Sequence, residues 1–217
     1  MFGIENYWGF ILTGILLNIT PGSDTMYIIT RSVSQGNKAG LYSVLGIVSG
    51  ILVHTVLAAL GLSILLAKSP LAFTIVKYIG ASYLCYLGLK MLRSKAESVI
   101  AEGLTHDEKL TQTKSLDYKK IYKQGVLTNT FNPKVALFFL AFFPQFIDPS
   151  YTDSTISFLI LGLTFAVTSL LWCLFLTLLA SRFSQKLREN PAIESRLNNI
   201  SGLVFIGLGI KLLTEKD

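Results

Sequence analysis

Long stretches without a single Asp, Glu, Lys or Arg alternate with short basic ones along this chain, and that spacing sets the fold class before any motif is considered. Residues 39–67 and 154–181 carry no such charge. At 1.5 Å per residue, about 20 apolar residues cross the roughly 30 Å hydrocarbon layer of a bilayer, so each stretch is long enough for a tilted spanning helix. Four further apolar segments, 7–30, 70–92, 122–147 and the shorter 200–213, bring the expectation to six transmembrane helices in an all-α membrane protein. Composition agrees, with 51% hydrophobic and only 15% charged residues. No basic region precedes the first apolar run and no cleavage-like motif follows it, so it reads as a span and not as a removable signal peptide.

Charge then orients the spans. Of the 19 Lys and Arg, most fall on one face, in the connections near 31–40, 93–121 and 182–198. Positive loops stay in the cytoplasm, which puts the linker "RSKAESVIAEGLTHDEKLTQTKSLDYKK" inside and both termini outside. The net charge of +6 is thereby an orientation signal and gives no support for a nucleic-acid partner. The linker divides the chain into a first three-helix unit (1–92), the charged segment (93–121) and a second three-helix unit (122–217).

The two units resemble each other. "YLGLKML" (86–92) closes the third span and "GLGIKLL" (207–213) the sixth, with Gly88 matching Gly209 and Lys90 matching Lys211. "GILLNITPG" (14–22) in the first span resembles "GVLTNTFNPK" (125–134) in the fourth. Three crossings per unit force the halves into opposite orientations. The expectation is therefore two inverted three-helix repeats, each opening with a Pro-broken helix, an arrangement whose binding sites form near the midplane.

Those breaks concentrate the unusual residues. A Pro frees the carbonyl four positions earlier, and something must satisfy it away from water; Asn18, Thr20, Asn129 and Asn132 stand ready beside Pro21 and Pro133. Ser23 or Asp24 reads as the cap of the helix that resumes after Pro21 and Gly22. Each break also carries an ionisable residue, Asp24 in the first and Lys134 in the fourth, at an insertion cost of about 2.5 to 3.5 kcal/mol each at the membrane centre. Half-helices restarting near Ser23 and Pro133 aim positive ends inward, and those ending near Asn18 and Asn129 present carbonyls. Such a site has acceptors and Asp24 for an ammonium, and donors and Lys134 for a carboxylate. A free amino acid carries both groups. The same pair also reads as a structural ion pair, and either Pro as a kink.

Other features say less. His54 reads as a proton relay or as a hydrogen-bonded packing residue. Gly46 and Gly50 form a close-packing face, Arg31 an interfacial anchor, "FFPQFID" an outer exit turn, and Trp172 a cavity wall or a packing residue. Cys85 and Cys173 lack redox spacing. Asp24, His54 and scattered thiols are a poor ligand set for a metal, so a transporter of metal or another inorganic ion ranks second, with a passive channel. No H-E-x-x-H or G-x-S-x-G lies in the spans, which argues against an enzyme.

"TPGSDTMYIITRSVSQGNKAGLYSVLGIVSGILVHTVLAALGL" (20–62), "GVLTNTFNPKVALFFLAFFPQFID" (125–148) and the two helix ends resemble the LysE/RhtB family of bacterial amino-acid exporters, and the resemblance covers nearly the whole chain. It implies a six-helix inner-membrane exporter without a cofactor, coupled to protons, with self-association as a homo-oligomer left open. By position it puts Asp24 on an acidic or amide site after Pro-Gly and Lys134 after Asn-Pro; Ser23 departs from the Pro frequent there. One carboxylate and one amine match a zwitterion, so the expected substrates are small neutral or polar amino acids of the homoserine and threonine kind.

Overall fold

The computed structural model describes residues 2–20, 22–62, 70–93, 116–148, 151, 154–188 and isolated positions between 199 and 214. Pro21 and most of the charged linker lie outside them. The described chain is helical, without a strand among the described residues; an isolated bridge pairs Ile4 with Ile147.

The first predicted span forms as two pieces. Helix α1 runs Tyr7–Ile19, started by Asn6, whose side chain accepts from the Gly9 N–H at 3.3 Å. The backbone then becomes extended at Thr20 and Gly22, and α2 begins at Ser23. The cap position is Gly22 and no side chain bonds there, so neither Ser23 nor Asp24 is the expected cap; both already lie inside the first turn. That frees the Asp24 carboxylate for longer-range contacts.

Helix α2 spans Ser23–Leu57, but it is not a straight rod. Gly36 has φ 83° and ψ 172°, a conformation that L side chains rarely adopt. A Cβ on Gly40 would collide with the Ser32 hydroxyl, although residues eight apart in a straight helix are separated by about 12 Å. The chain therefore doubles back at Gly36 into two arms, 23–35 and 37–57. The connection expected over 31–40 is this single-residue turn. Residues 58–62 continue the second arm as a π-helical turn.

Helix α3 follows at Pro70–Arg93. The fourth predicted span begins earlier than expected, because Asp117 accepts from the Lys120 N–H at 3.1 Å and starts α4 at Tyr118, inside the segment assigned to the linker. Helix α4 (Tyr118–Thr130) ends in a break at Phe131–Asn132, and α5 (Pro133–Leu137) leads into a π-helical turn at Phe138–Phe142 and a 3-10 turn at Phe143–Phe146. The two pieces are bent by 46°. Helix α6 covers Ser154–Arg188. Beyond it the described positions between 202 and 214 are helical; Ile200, where the sixth span was expected to start, lies outside the described residues.

Small residues set the contacts. Gly46 on the second arm of α2 lies against the Gly125 Cα and the Tyr122 carbonyl of α4, and Gly50 against the Asn129 side chain, which accounts for the Gly46–Gly50 pattern. On the other side, Gly14 of α1 meets Phe165 of α6 and Asn18 bonds Ser169. In both places a Gly and, one turn later, an Asn pack on a partner helix. Gly88 of α3 lies against Gly202 and Ile206, while Gly209 lies against Ala81 and Cys85, so α3 and the last helical segment cross antiparallel.

The main core is aromatic. Phe10, Phe138, Phe139, Phe142, Phe143 and Phe165 are all buried, with ring centroids from 4.1 to 6.4 Å apart. Outside it, large apolar residues such as Leu12, Leu60, Leu163 and Leu171 point outward and are more than half exposed. Such a surface suits hydrocarbon and not water.

Candidate functional site

The two helix breaks meet. Pro21 has no N–H to offer the Leu17 carbonyl, and the Lys134 ammonium, from beyond the other break, donates to that oxygen at 3.3 Å and to the Thr20 carbonyl at 3.0 Å. Pro133 likewise leaves the Asn129 carbonyl without its helical donor. There the Asn132 N–H donates at 2.9 Å, and the His54 Nε2 sits at 3.2 Å. A carbonyl only accepts, so this contact requires Nε2 of His54 to carry a proton. His54 is buried and stacks on Phe139, centroids 5.4 Å apart.

Asp24 reaches across in the other direction. The Asn129 side chain donates from Nδ2 to Asp24 Oδ2 at 2.8 Å. Asn129 thus touches Asp24 through its amide and His54 through its carbonyl. Asp24 Oδ1 is buried and has no hydrogen-bond partner. Asp24 and Lys134 line the same cavity, yet their bonds go to Asn129 and to carbonyls instead of to one another.

Each remaining residue has a definite place. Asn132 accepts from the Lys134 N–H at 3.0 Å, capping α5 with Pro133 in its first turn. Asn18 is held at both ends of its amide, donating to Thr168 at 3.4 Å and accepting from Ser169 at 2.6 Å. The Thr20 hydroxyl returns to Leu16 O at 2.8 Å. Gly22 lies beside Lys134, where an added Cβ would come within 3.0 Å of the ammonium nitrogen. Ser23 is exposed, outside the cavity lining. Trp172 and Cys173 of α6 complete the walls.

The cavity measures about 20 Å³, room for about one water molecule. Contacts between the helices flank it on both sides. Toward Gly36, Tyr27 donates to Ile121 O at 2.7 Å and Arg31 to Gln124 at 3.0 Å, tying the first arm of α2 to α4. Arg31 is therefore a latch between helices, a role its position near a span end did not reveal. Toward the N-terminus the phenylalanine cluster fills the space, and Glu5 N–H to Phe146 O and Asp148 N–H to Gly3 O, both 2.8 Å, strap the exit turn to the chain start.

Comparison with known proteins agrees with the family resemblance. The LysE type translocator family matches residues 15–216. The chain belongs to that family. Relatives include an uncharacterized membrane protein of Vibrio cholerae, 34% identical with 98% of each chain covered, and the membrane protein YrhP of Bacillus subtilis, 33% identical over 93% of this chain and 95% of the relative. The leucine efflux protein of Salmonella typhimurium is 30% identical over 98% and 97%. No solved structure matches significantly. As a LysE type translocator the chain is a multi-pass membrane protein of a transporter family, consistent with its outward apolar faces.

Proposed function

We propose that the protein is a secondary exporter of neutral amino acids in the bacterial cytoplasmic membrane, crossing it six times with both termini outside. The observation that carries this reading is the bare Asp24 oxygen in the same small cavity as the Lys134 side chain, between two helix breaks. The ammonium of an amino acid binds Asp24 Oδ1, and the third Lys134 N–H, left over from the two carbonyls, meets the carboxylate. A lysine or arginine substrate would bring a second cation without a second acid to receive it. The name of the Salmonella relative extends the range from homoserine and threonine toward apolar side chains.

Coupling follows from the same carboxylate. Asp24 holds either a proton or a substrate ammonium, and mutual exclusion at one site is the simplest basis for exchange. His54, joined to Asp24 through Asn129, is the proton's second station. The repeated Gly and Asn contacts of α1 on α6 and of α4 on α2 support an inverted relation of the halves, as does the reciprocity of Gly88 with Gly202 and Gly209 with Ala81. Alternating access then opens the latch of Tyr27 and Arg31 to the cytoplasm and the phenylalanine plug to the outside. Among the described residues no three of His, Cys, Asp and Glu converge, so no observation favours the metal reading.

Cells expressing the protein and fed dipeptides should clear the released neutral amino acids faster than empty-vector cells, with lysine unaffected. Equal clearance across the whole panel would refute the substrate class.

A further inference from the structure

Asn18 and Trp172 line both the cavity that holds Asp24 and Lys134 and an apolar groove of about 380 Å³ between α1 and α6, walled by Ile15, Ile19, Leu171 and Phe175. The two side chains thus stand between the mixed lining of the cavity and the apolar groove. They are not held alike. Asn18 is fixed by Thr168 and Ser169, whereas the Trp172 indole N–H is buried without any acceptor. Its ring rests on Phe175, centroids 5.6 Å apart. Trp172 is the wall that a ligand can displace.

A buried N–H without a partner is costly, and a ligand oxygen that satisfies it recovers that cost. Two residues that line the cavity thus carry unpartnered atoms, a carboxylate oxygen on Asp24 and an indole N–H on Trp172, complementary to the ammonium and carboxylate of an amino acid. About 20 Å³ leaves no room for a side chain, and the adjoining space is the groove. Its polar walls, Asn18 and Thr168, already bond one another, so a substrate hydroxyl gains little there. We propose that Trp172 is a substrate-binding and specificity-determining residue: its indole N–H donates to the substrate carboxylate, and displacement of its ring joins cavity and groove so that the groove takes an apolar side chain, such as that of leucine. This rests on the exporter reading above. The proposed occupant is the substrate side chain, because the groove is the space that shares Asn18 and Trp172 with the cavity; its walls Ile15, Leu171 and Phe175 also face outward, so occupation by a lipid chain is the outcome that would overturn the assignment.

The chain has two tryptophans, and the other, Trp8, is 79% exposed near the start of α1. Purified Trp8→Phe protein therefore reports Trp172 alone by its emission. Leucine should shift that emission saturably, lysine should not, and adding Asp24→Asn should abolish the response. In vesicles, Trp172→Phe keeps an aromatic ring, smaller than the indole, and loses the N–H, and should raise the half-saturating leucine concentration by roughly tenfold; Trp172→Ala should erase the preference for leucine over threonine. Leucine export with an unaltered half-saturation in Trp172→Phe would overturn the inference alone, as would emission that responds to added lipid and not to leucine. Absence of any amino-acid export by the unmodified protein would instead overturn the exporter reading on which the inference stands.

Discussion

Asp24→Asn should reduce amino-acid export to the empty-vector level while the protein remains folded in the membrane. The substitution is nearly isosteric, and the new side-chain oxygen can still accept from Asn129 Nδ2, so the contact that ties the first break to α4 survives. What disappears is the negative charge at Oδ1, the acceptor left bare in the cavity. A hydrogen bond to a charged group contributes about 1.5 to 3 kcal/mol, so the half-saturating concentration should rise by roughly tenfold or more. Exchange should fail as well, because an amide cannot alternate between a proton and an ammonium. Export in Asp24→Asn with the concentration and pH dependence of the unmodified protein would remove Asp24 from the mechanism.

Lys134→Ala should damage stability as well as transport. The ammonium supplies donors to the Leu17 and Thr20 carbonyls at the end of α1, and one of those is the carbonyl that Pro21 leaves without a helical donor. Leaving a buried acceptor unsatisfied costs about 1 to 3 kcal/mol. For a chain of this size, about 2 kcal/mol corresponds to a fall of roughly 4 to 8 °C in the unfolding midpoint. Lys134→Arg, which keeps donors and charge, should recover most of the midpoint. A Lys134→Ala midpoint equal to that of the unmodified protein would show that Lys134 does not hold the break together.

Much of this architecture was legible in the sequence because a bilayer imposes simple rules. Uncharged stretches marked the helices, and Pro beside Asn marked both breaks, since a missing N–H has the same consequence wherever it occurs. The freed carbonyls were also foreseeable, at Leu17 and Asn129. One partner, the Asn132 N–H on the Asn129 carbonyl, lies beside its break; the others do not. Lys134 and His54 come from distant parts of the chain, and no local pattern says that a cation beyond one break will close the other. The nearby Asn and Thr residues, expected to do that work, mostly cap and brace instead: Asn132 caps α5 and Asn18 is bound to α6.

One local reading failed for a physical reason, and another gained detail. Ser23 looked like a helix cap, but the extended backbone at Gly22 takes the cap position and moves Ser23 to an exposed site in the first turn. The connection expected near 31–40 is present, and the left-handed φ of Gly36 makes it a reversal in one residue. That compact turn lets Tyr27 and Arg31 on one arm, and Ser49 on the other, reach α4 together. Trp172 was legible as a cavity wall or a packing residue, and it lines the cavity. Its significance depends on which atoms lack partners, and that is a property of the folded cavity.

Counterflow in proteoliposomes tests the central claim most directly. Vesicles containing the purified protein and preloaded with unlabelled leucine should accumulate external labelled leucine, and labelled threonine more weakly. Labelled lysine should stay outside, and vesicles with Asp24→Asn should accumulate nothing. Vesicles with correctly inserted protein that accumulate no neutral amino acid, or that accumulate leucine equally well with Asp24→Asn, would contradict a neutral amino-acid site built at the paired helix breaks.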